Sequence, residues 1–228
     1  MSGVAPELSP SVMRMLSRPR PRWRGLTHRW AFLLSIPVGI VGVVGADTTN
    51  AQIGLAFFAI GASFMFGVSA LVHLRPWPAA RYHRLIQLDH TAIYVCIAAQ
   101  SLPVALLVLK GPLRITLLVV LGVGAAVGVV LEWLPFHPPK GLMNALFLTL
   151  GWFPVVLMPW IYEGTNATNF ALLLAGGAFY TAGAIVVGAM RPDPWPKTFG
   201  YHEIWHLCVI IAVVLHTVMA WRLAHVLT

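Results

Sequence analysis

The sequence predicts an all-α fold, a polytopic membrane protein of seven transmembrane helices. Three observations point there. Uncharged apolar stretches of about twenty residues recur along the whole chain, the length a helix needs to cross a ~30 Å hydrocarbon core. Only 10% of the 228 residues are charged and 58% are hydrophobic, whereas roughly 25% are charged in an ordinary soluble domain. The breaks between the stretches are short and carry Pro, Gly and basic residues, which stop helices and suit a membrane surface.

The elements follow in order. Residues 1–26 contain Pro6, Pro10, Pro19 and Pro21 among arginines, leave little to bury, and are expected to form a flexible basic cytoplasmic tail ahead of a membrane domain over 27–228. The first helix is expected over 28–46, closed by Asp47-Thr48-Thr49-Asn50. The second covers 51–74 without a single Asp, Glu, Lys or Arg. A basic, Pro-containing loop from Arg75 to Arg84 follows, with Trp77 and Tyr82 suited to the headgroup level. The third helix, 86–109, stops at Lys110-Gly111-Pro112. The fourth, 113–133, leads into Pro135-Phe136-His137-Pro138-Pro139-Lys140. The fifth covers 141–162, the sixth 167–190 and the seventh 200–224. Pro37, Pro103, Pro154 and the glycines inside these stretches are read as packing sites or kinks.

Seven crossings put the termini on opposite sides. With the N-terminus inside, twelve of the fifteen Lys and Arg residues fall on the inner side and three on the outer. The basic-residue bias therefore predicts a cytoplasmic N-terminus and an external C-terminus in the cell membrane. The same bias accounts for the formal charge of +8 without any nucleic-acid partner. Cys96 and Cys208 sit inside apolar stretches and are read as buried thiols, not a disulfide framework. Val44-Gly45-Ala46 imitates a cleavage site, but it lies too far along a Pro- and Arg-rich leader for a signal peptide.

Ionisable groups at membrane depth are costly and mark function by default. His73 ends the second helix, Asp89 and His90 begin the third, and His202, Glu203 and His206 begin the seventh. All of these ends fall on the predicted cytoplasmic face, so groups far apart in the chain meet at one depth. His202 and His206 are one turn apart on one helix face, a spacing that lets both bind one metal. With His73 they make a three-nitrogen set with an open fourth position, which suits a catalytic zinc site (Zn2+) better than a closed structural one. Asp89 is placed to hold or deprotonate a water there, and Ser69, one turn before His73, to support the site through a hydrogen bond. His28, at the same cytoplasmic edge, reads first as a helix cap or headgroup contact and second as a further group supporting the metal site; His83 and His137 read as surface loop residues, and His90 as interfacial. His216, about 15 Å further along its helix than His206, reads as an interhelical partner. His225 faces the opposite side.

The stretches Ser69-Ala70-Leu71-Val72-His73, Asp89-His90-Thr91-Ala92-Ile93-Tyr94 and Tyr201-His202-Glu203-Ile204-Trp205-His206-Leu207 resemble, in this order, the motifs of the hemolysin III-like branch of the progestin and adipoQ receptor family. The resemblance runs from about His28 to the C-terminus. It implies a seven-helix fold with zinc held by His73, His202 and His206, and with Asp89 near the metal. The wider superfamily includes alkaline ceramidases, so the resemblance also implies hydrolysis of a lipid amide or ester. One departure stands out. The family commonly carries Glu-x2-Asn-x3-His at the first helix, and this chain has Pro21 and Arg24 before His28.

Three functions are weighed. The leading expectation is a zinc-dependent hydrolase of a membrane lipid or lipid-like substrate, with Asp89 as general base. The second is a lipid-sensing receptor in which zinc is structural. The third takes His202-Glu203-x2-His206 as the HExxH of an intramembrane metalloprotease with Glu203 as base. A retinal protein is excluded, since Lys110, Lys140 and Lys197 all lie in breaks between helices. A di-iron desaturase needs several His boxes, and the chain has one HxxxH. No feature of the sequence sets an oligomeric state.

Overall fold

The computed structural model describes residues 20–134 and 142–226. The tail expected over 1–19, and His137 and Lys140, lie outside the described residues. Among the described residues seven helical spans are long and apolar enough to cross a membrane, so the chain is an all-α multi-pass membrane protein. In order they comprise α1 (Leu26–Gly45), α2 (Thr49–Leu74), α3 (Ala79–Gln100), the short α4 (Leu102–Leu107), α5 (Gly111–Glu132), α6 (Leu142–Trp152), a 3₁₀ segment (Phe153–Leu157), α7 (Met158–Glu163), α8 (Ala167–Ala189) and α9 (Tyr201–Val226). Helices α3 and α4 together make one span, Arg81–Leu107, and the pieces from α6 to α7 make another, Leu142–Glu163.

Local chemistry accounts for the boundaries. Thr48 Oγ1 accepts from the Ala51 amide at 3.2 Å and Asn166 Oδ1 from the Asn169 amide at 2.9 Å, so two polar breaks serve as N-caps for donors that a helix leaves unsatisfied. Pro103 and Pro154 stand in the first turns of α4 and of the 3₁₀ segment, where a residue without an N–H is tolerated. Each marks a point where a predicted single helix is divided in two. The third helix also starts earlier than its hydropathy predicts: Arg81, Tyr82, His83 and Arg84 belong to the first turns of α3 and not to a loop. Residues 20–25, counted above with the flexible tail, are held against the loop before α9. Arg22 and Trp23 donate backbone hydrogen bonds to the Lys197 and Thr198 carbonyls, both at 3.1 Å.

Helix α2 is the axis of the bundle, with 56% of its apolar window buried, while α1 and α8 lie at the rim with 11%. Leu55, Phe58, Met65 and Phe66 of α2 pack with Val209 and Val213 of α9 in one apolar cluster. A second cluster joins Tyr94 to Leu117, Leu121, Leu150 and Leu157. The outward side chains, among them Leu34, Val41 and Ile185, are exposed and apolar, as acyl-chain contact requires. Close approach between helices is made at glycines: a Cβ on Gly128 would come within 2.3 Å of the Tyr94 ring. This arrangement sets the end of α2 and the first half of α3 beside the start of α9.

Candidate metal centre

His73 sits in the last turn of α2, and His202 and His206 in the first two turns of α9. The start of α9 is fixed by a reciprocal cap in which Glu203 Oε2 accepts from the Gly200 amide at 2.8 Å while Asp193 Oδ1 accepts from the Tyr201 amide at 3.2 Å. This is the logic of a capping box, in which an acid three residues into the helix reaches back to the cap. The other oxygen of Glu203 accepts from Arg24 Nε at 2.5 Å, with the carboxylate fully buried. Arg24 thus ties the chain ahead of α1 to the helix that carries two of the histidines. Gly25 makes the approach possible: its φ is +80° and a Cβ there would fall 2.8 Å from the His73 carbonyl carbon. The Arg20 guanidinium also donates to the His73 carbonyl oxygen; burial, with Arg24 beside it, lowers the Arg20 pKa.

The three histidines converge. One ligand atom from each of His73, His202 and His206 lies within 4.8 Å of the others, and all three rings are buried. The Nε2 atoms of His73 and His202 are 3.3 Å apart, and ring centroids stand 4.6, 5.1 and 4.6 Å from one another. A tetrahedral zinc with Zn–N bonds of about 2.0–2.1 Å sets its nitrogens roughly 3.3 Å apart, which the His73–His202 pair matches, with the third donor within 4.8 Å. The Nδ1 atoms of His202 and His206 have no hydrogen-bond partner in the protein. These residues could hold a metal ion, as the sequence spacing predicts.

The surroundings contain both predicted and unpredicted groups. Asp89 Oδ2 lies 3.4 Å from His73 Nε2. Ser69 is buried one turn before His73 and lines the same cavity. His28, expected first as a cap or headgroup contact and second as a support of the metal site, takes the second role and is 2% exposed. Its ring stacks on His206 with centroids 3.8 Å apart and planes 12° apart, and its Nε2 lies 3.3 Å from the His206 carbonyl oxygen. This placement follows from Arg24 and Gly25, which draw the start of α1 inward. His90, expected at the interface, has Nδ1 2.9 Å from Glu132 Oε1. The sequence reading gave Glu132 no role, although an acid at the end of an apolar span is the signal that should have flagged it. His216 is the interhelical partner expected, with Nδ1 3.0 Å from Gln100 Oε1 and Nε2 3.2 Å from the Leu173 carbonyl oxygen. Gln100 was also overlooked, because an uncharged amide leaves the hydropathy of its span almost unchanged. Cys96 is buried as expected, whereas Cys208 is only partly so.

A cavity of about 790 Å3 runs from these rings into the bundle, within the ~300–1,000 Å3 usual for small-molecule sites. His28, Ser69, His73, Asp89 and His202 line its polar end, and Ile93, Ile97, Leu117, Leu121 and Phe147 are among the apolar groups further in. Glu203 does not line it.

A model of proteins described as haemolysin-III related matches residues 16–217. Hemolysin-3 of Bacillus cereus is 31% identical over 188 residues, covering 81% of this chain and 83% of that protein. A hemolysin-3 homolog of Bacillus subtilis is 29% identical over 188 residues, 81% of this chain and 85% of its own. The human monocyte to macrophage differentiation factor is 25% identical over 169 residues, covering 72% of this chain and 68% of that protein.

Proposed function

The chain belongs to the haemolysin III-related family and is a multi-pass protein of the cell membrane; from that premise we propose that it is a zinc-dependent hydrolase of a lipid amide or ester. The observation that carries the proposal is the juxtaposition of three converging imidazoles, an aspartate 3.4 Å from one of them, and an adjoining cavity lined mostly by apolar side chains. His73, His202 and His206 would hold the ion, which would supply Lewis acidity toward a carbonyl and a water. The chain does the rest. Asp89 takes the proton from the attacking water and passes it toward the leaving group as general base and then acid. Ser69 supports the site through a hydrogen bond, and the apolar wall holds the acyl chain of a membrane lipid and excludes bulk water from the reacting bond. The basic-residue bias puts this end of the bundle at the cytoplasmic face.

Glu203 disfavours a metalloprotease. Its two oxygens are engaged by Arg24 and the Gly200 amide, and it is turned from the cavity, so it is a structural anchor and not a base. A sensing role with structural metal lacks a comparable observation in its favour, since an open carboxylate beside the rings serves turnover more directly than ligand detection.

The test is release of fatty acid from a panel of lipid amides and esters by the purified, zinc-loaded protein. Release that stops on chelation, returns with zinc and is lost in Asp89→Asn supports the proposal. A protein that carries no zinc by elemental analysis, or that retains metal but releases nothing from any substrate, overturns it.

A further inference from the structure

About 15 Å along α9 from His206, close to mid-bilayer, a second set of polar side chains meets on the wall of the same cavity. Gln100 comes from the end of α3, Tyr180 from α8 and His216 from α9. Gln100 Nε2 donates to Tyr180 Oη at 2.9 Å and to Cys96 Sγ at 2.9 Å. Gln100 Oε1 lies 3.2 Å from Tyr180 Oη and 3.0 Å from His216 Nδ1. His216 is packed tightly against α8, where a Cβ on Gly176 would fall 2.2 Å from its Nε2.

Polar groups at this depth are costly and are retained where they pair or face a pathway. These groups do both. A network whose sole task is to tie three spans together has no need of the cavity, yet Gln100, Tyr180 and His216 all line it, among apolar neighbours such as Ile97, Leu117 and Leu173. Tyr180 Oη donates its proton to Gln100 Oε1 at 3.2 Å and accepts from Gln100 Nε2, so its second lone pair is left to accept from a hydroxyl in the cavity. The rise along α3 from Asp89 to Gln100 comes to roughly 16–17 Å and that along α9 from His206 to His216 to roughly 15 Å, so the two polar ends of the cavity keep a similar spacing on either wall.

We propose that Gln100, Tyr180 and His216 form a second polar subsite, which takes a hydroxyl carried by a lipid chain about a dozen carbons from the group held at the histidine triad. The inference rests on the reading of the cavity as a lipid-chain site and adds the class of chain it selects. The phenol oxygen of Tyr180 accepts from the guest hydroxyl, Gln100 holds that phenol, and His216, set between Gln100 and the Leu173 carbonyl, packs behind Gln100. A plain chain leaves the same polar groups facing methylenes, which is where discrimination arises.

The test reads binding without turnover. Full-length protein in detergent is titrated with octadecanoic acid, with the same acid hydroxylated about a dozen carbons from the carboxylate, and with the isomer hydroxylated next to the carboxylate. Displacement of a fluorescent fatty acid is the readout. The mid-chain hydroxy acid is expected to bind about three- to tenfold more tightly than the plain acid, the size of one hydrogen bond, and the other isomer is expected to show no such gain. In Tyr180→Phe, and independently in Gln100→Leu, the ratio is expected to fall to near one. Equal binding of all three acids by the unaltered protein, a ratio that survives both substitutions, or no fatty-acid binding at all overturns the proposal. A preserved ratio in a protein that hydrolyses no substrate supports this subsite and counts against the hydrolase alone.

Discussion

Replacing Arg24 by Met removes the cation from a carboxylate that has no access to water. Glu203 is 0% exposed and its oxygens accept from Arg24 Nε at 2.5 Å and from the Gly200 amide at 2.8 Å. The substitution leaves the amide in place and the charge without a counter-ion, and breaking a buried pair in this way costs about 3–5 kcal/mol. For a chain of this length each kcal/mol shifts the melting temperature by roughly 2–4 °C. Arg24→Met should therefore melt some ~6–20 °C lower in detergent. Cys96 is buried, so a thiol-reactive dye reports the transition. The decisive control is Arg24→Met with Glu203→Gln: a neutral amide still accepts from Gly200 and no longer needs the cation, so the double variant should regain at least half of the loss. Zinc content measured alongside should fall in the single variant, because Glu203 lies between His202 and His206 on the first turns of α9. A single variant that melts with the unaltered protein, or a double variant no better than the single, would refute the view that this pair anchors the site.

Other outcomes follow from the same geometry. His73→Ala and His206→Ala should each reduce zinc by elemental analysis from about one equivalent per chain to near zero, since two nitrogens are too few for a stable shell; undiminished zinc in either removes the basis of the metal centre. His28→Ala should keep the three ligands but weaken zinc about 10–100-fold in competition with a chelator, because the ring stacked 3.8 Å from His206 no longer holds it, and His28→Phe should recover much of that loss. Glu132→Leu strips His90 of its partner and should lower stability by about 1–3 kcal/mol in the same dye assay, with His90→Phe in the same background restoring part of it. Alkaline phosphatase fused after Thr228 should be active and a fluorescent protein fused there dark; the reverse would place the triad at the outer face.

Much of this protein is legible from its residue order because a bilayer imposes one dominant rule. Every span must be about twenty apolar residues with its backbone bonds closed internally, and that rule places seven spans and their breaks, capped by Thr48 and Asn166 where polar residues interrupt. It also made the three histidines and Asp89 conspicuous, as ionisable groups at span ends. The same rule conceals helix ends that are polar. Arg81 to Arg84 lower the hydropathy of the start of α3 without lowering its helicity, and Gln100 is too weakly polar to show among its neighbours.

The spacing of His202 and His206 on one face, and the apolar length of each span, follow from local periodicity and so belong to the chain by itself. What brings His73 to within 3.3 Å of His202, stacks His28 on His206 and turns Glu203 toward Arg24 and away from the cavity is the packing of α1, α2 and α9. Those contacts join residues more than a hundred positions apart, and no local pattern encodes them. They arise because burying four imidazoles, an acid and an arginine together costs far less than leaving each of them alone in hydrocarbon.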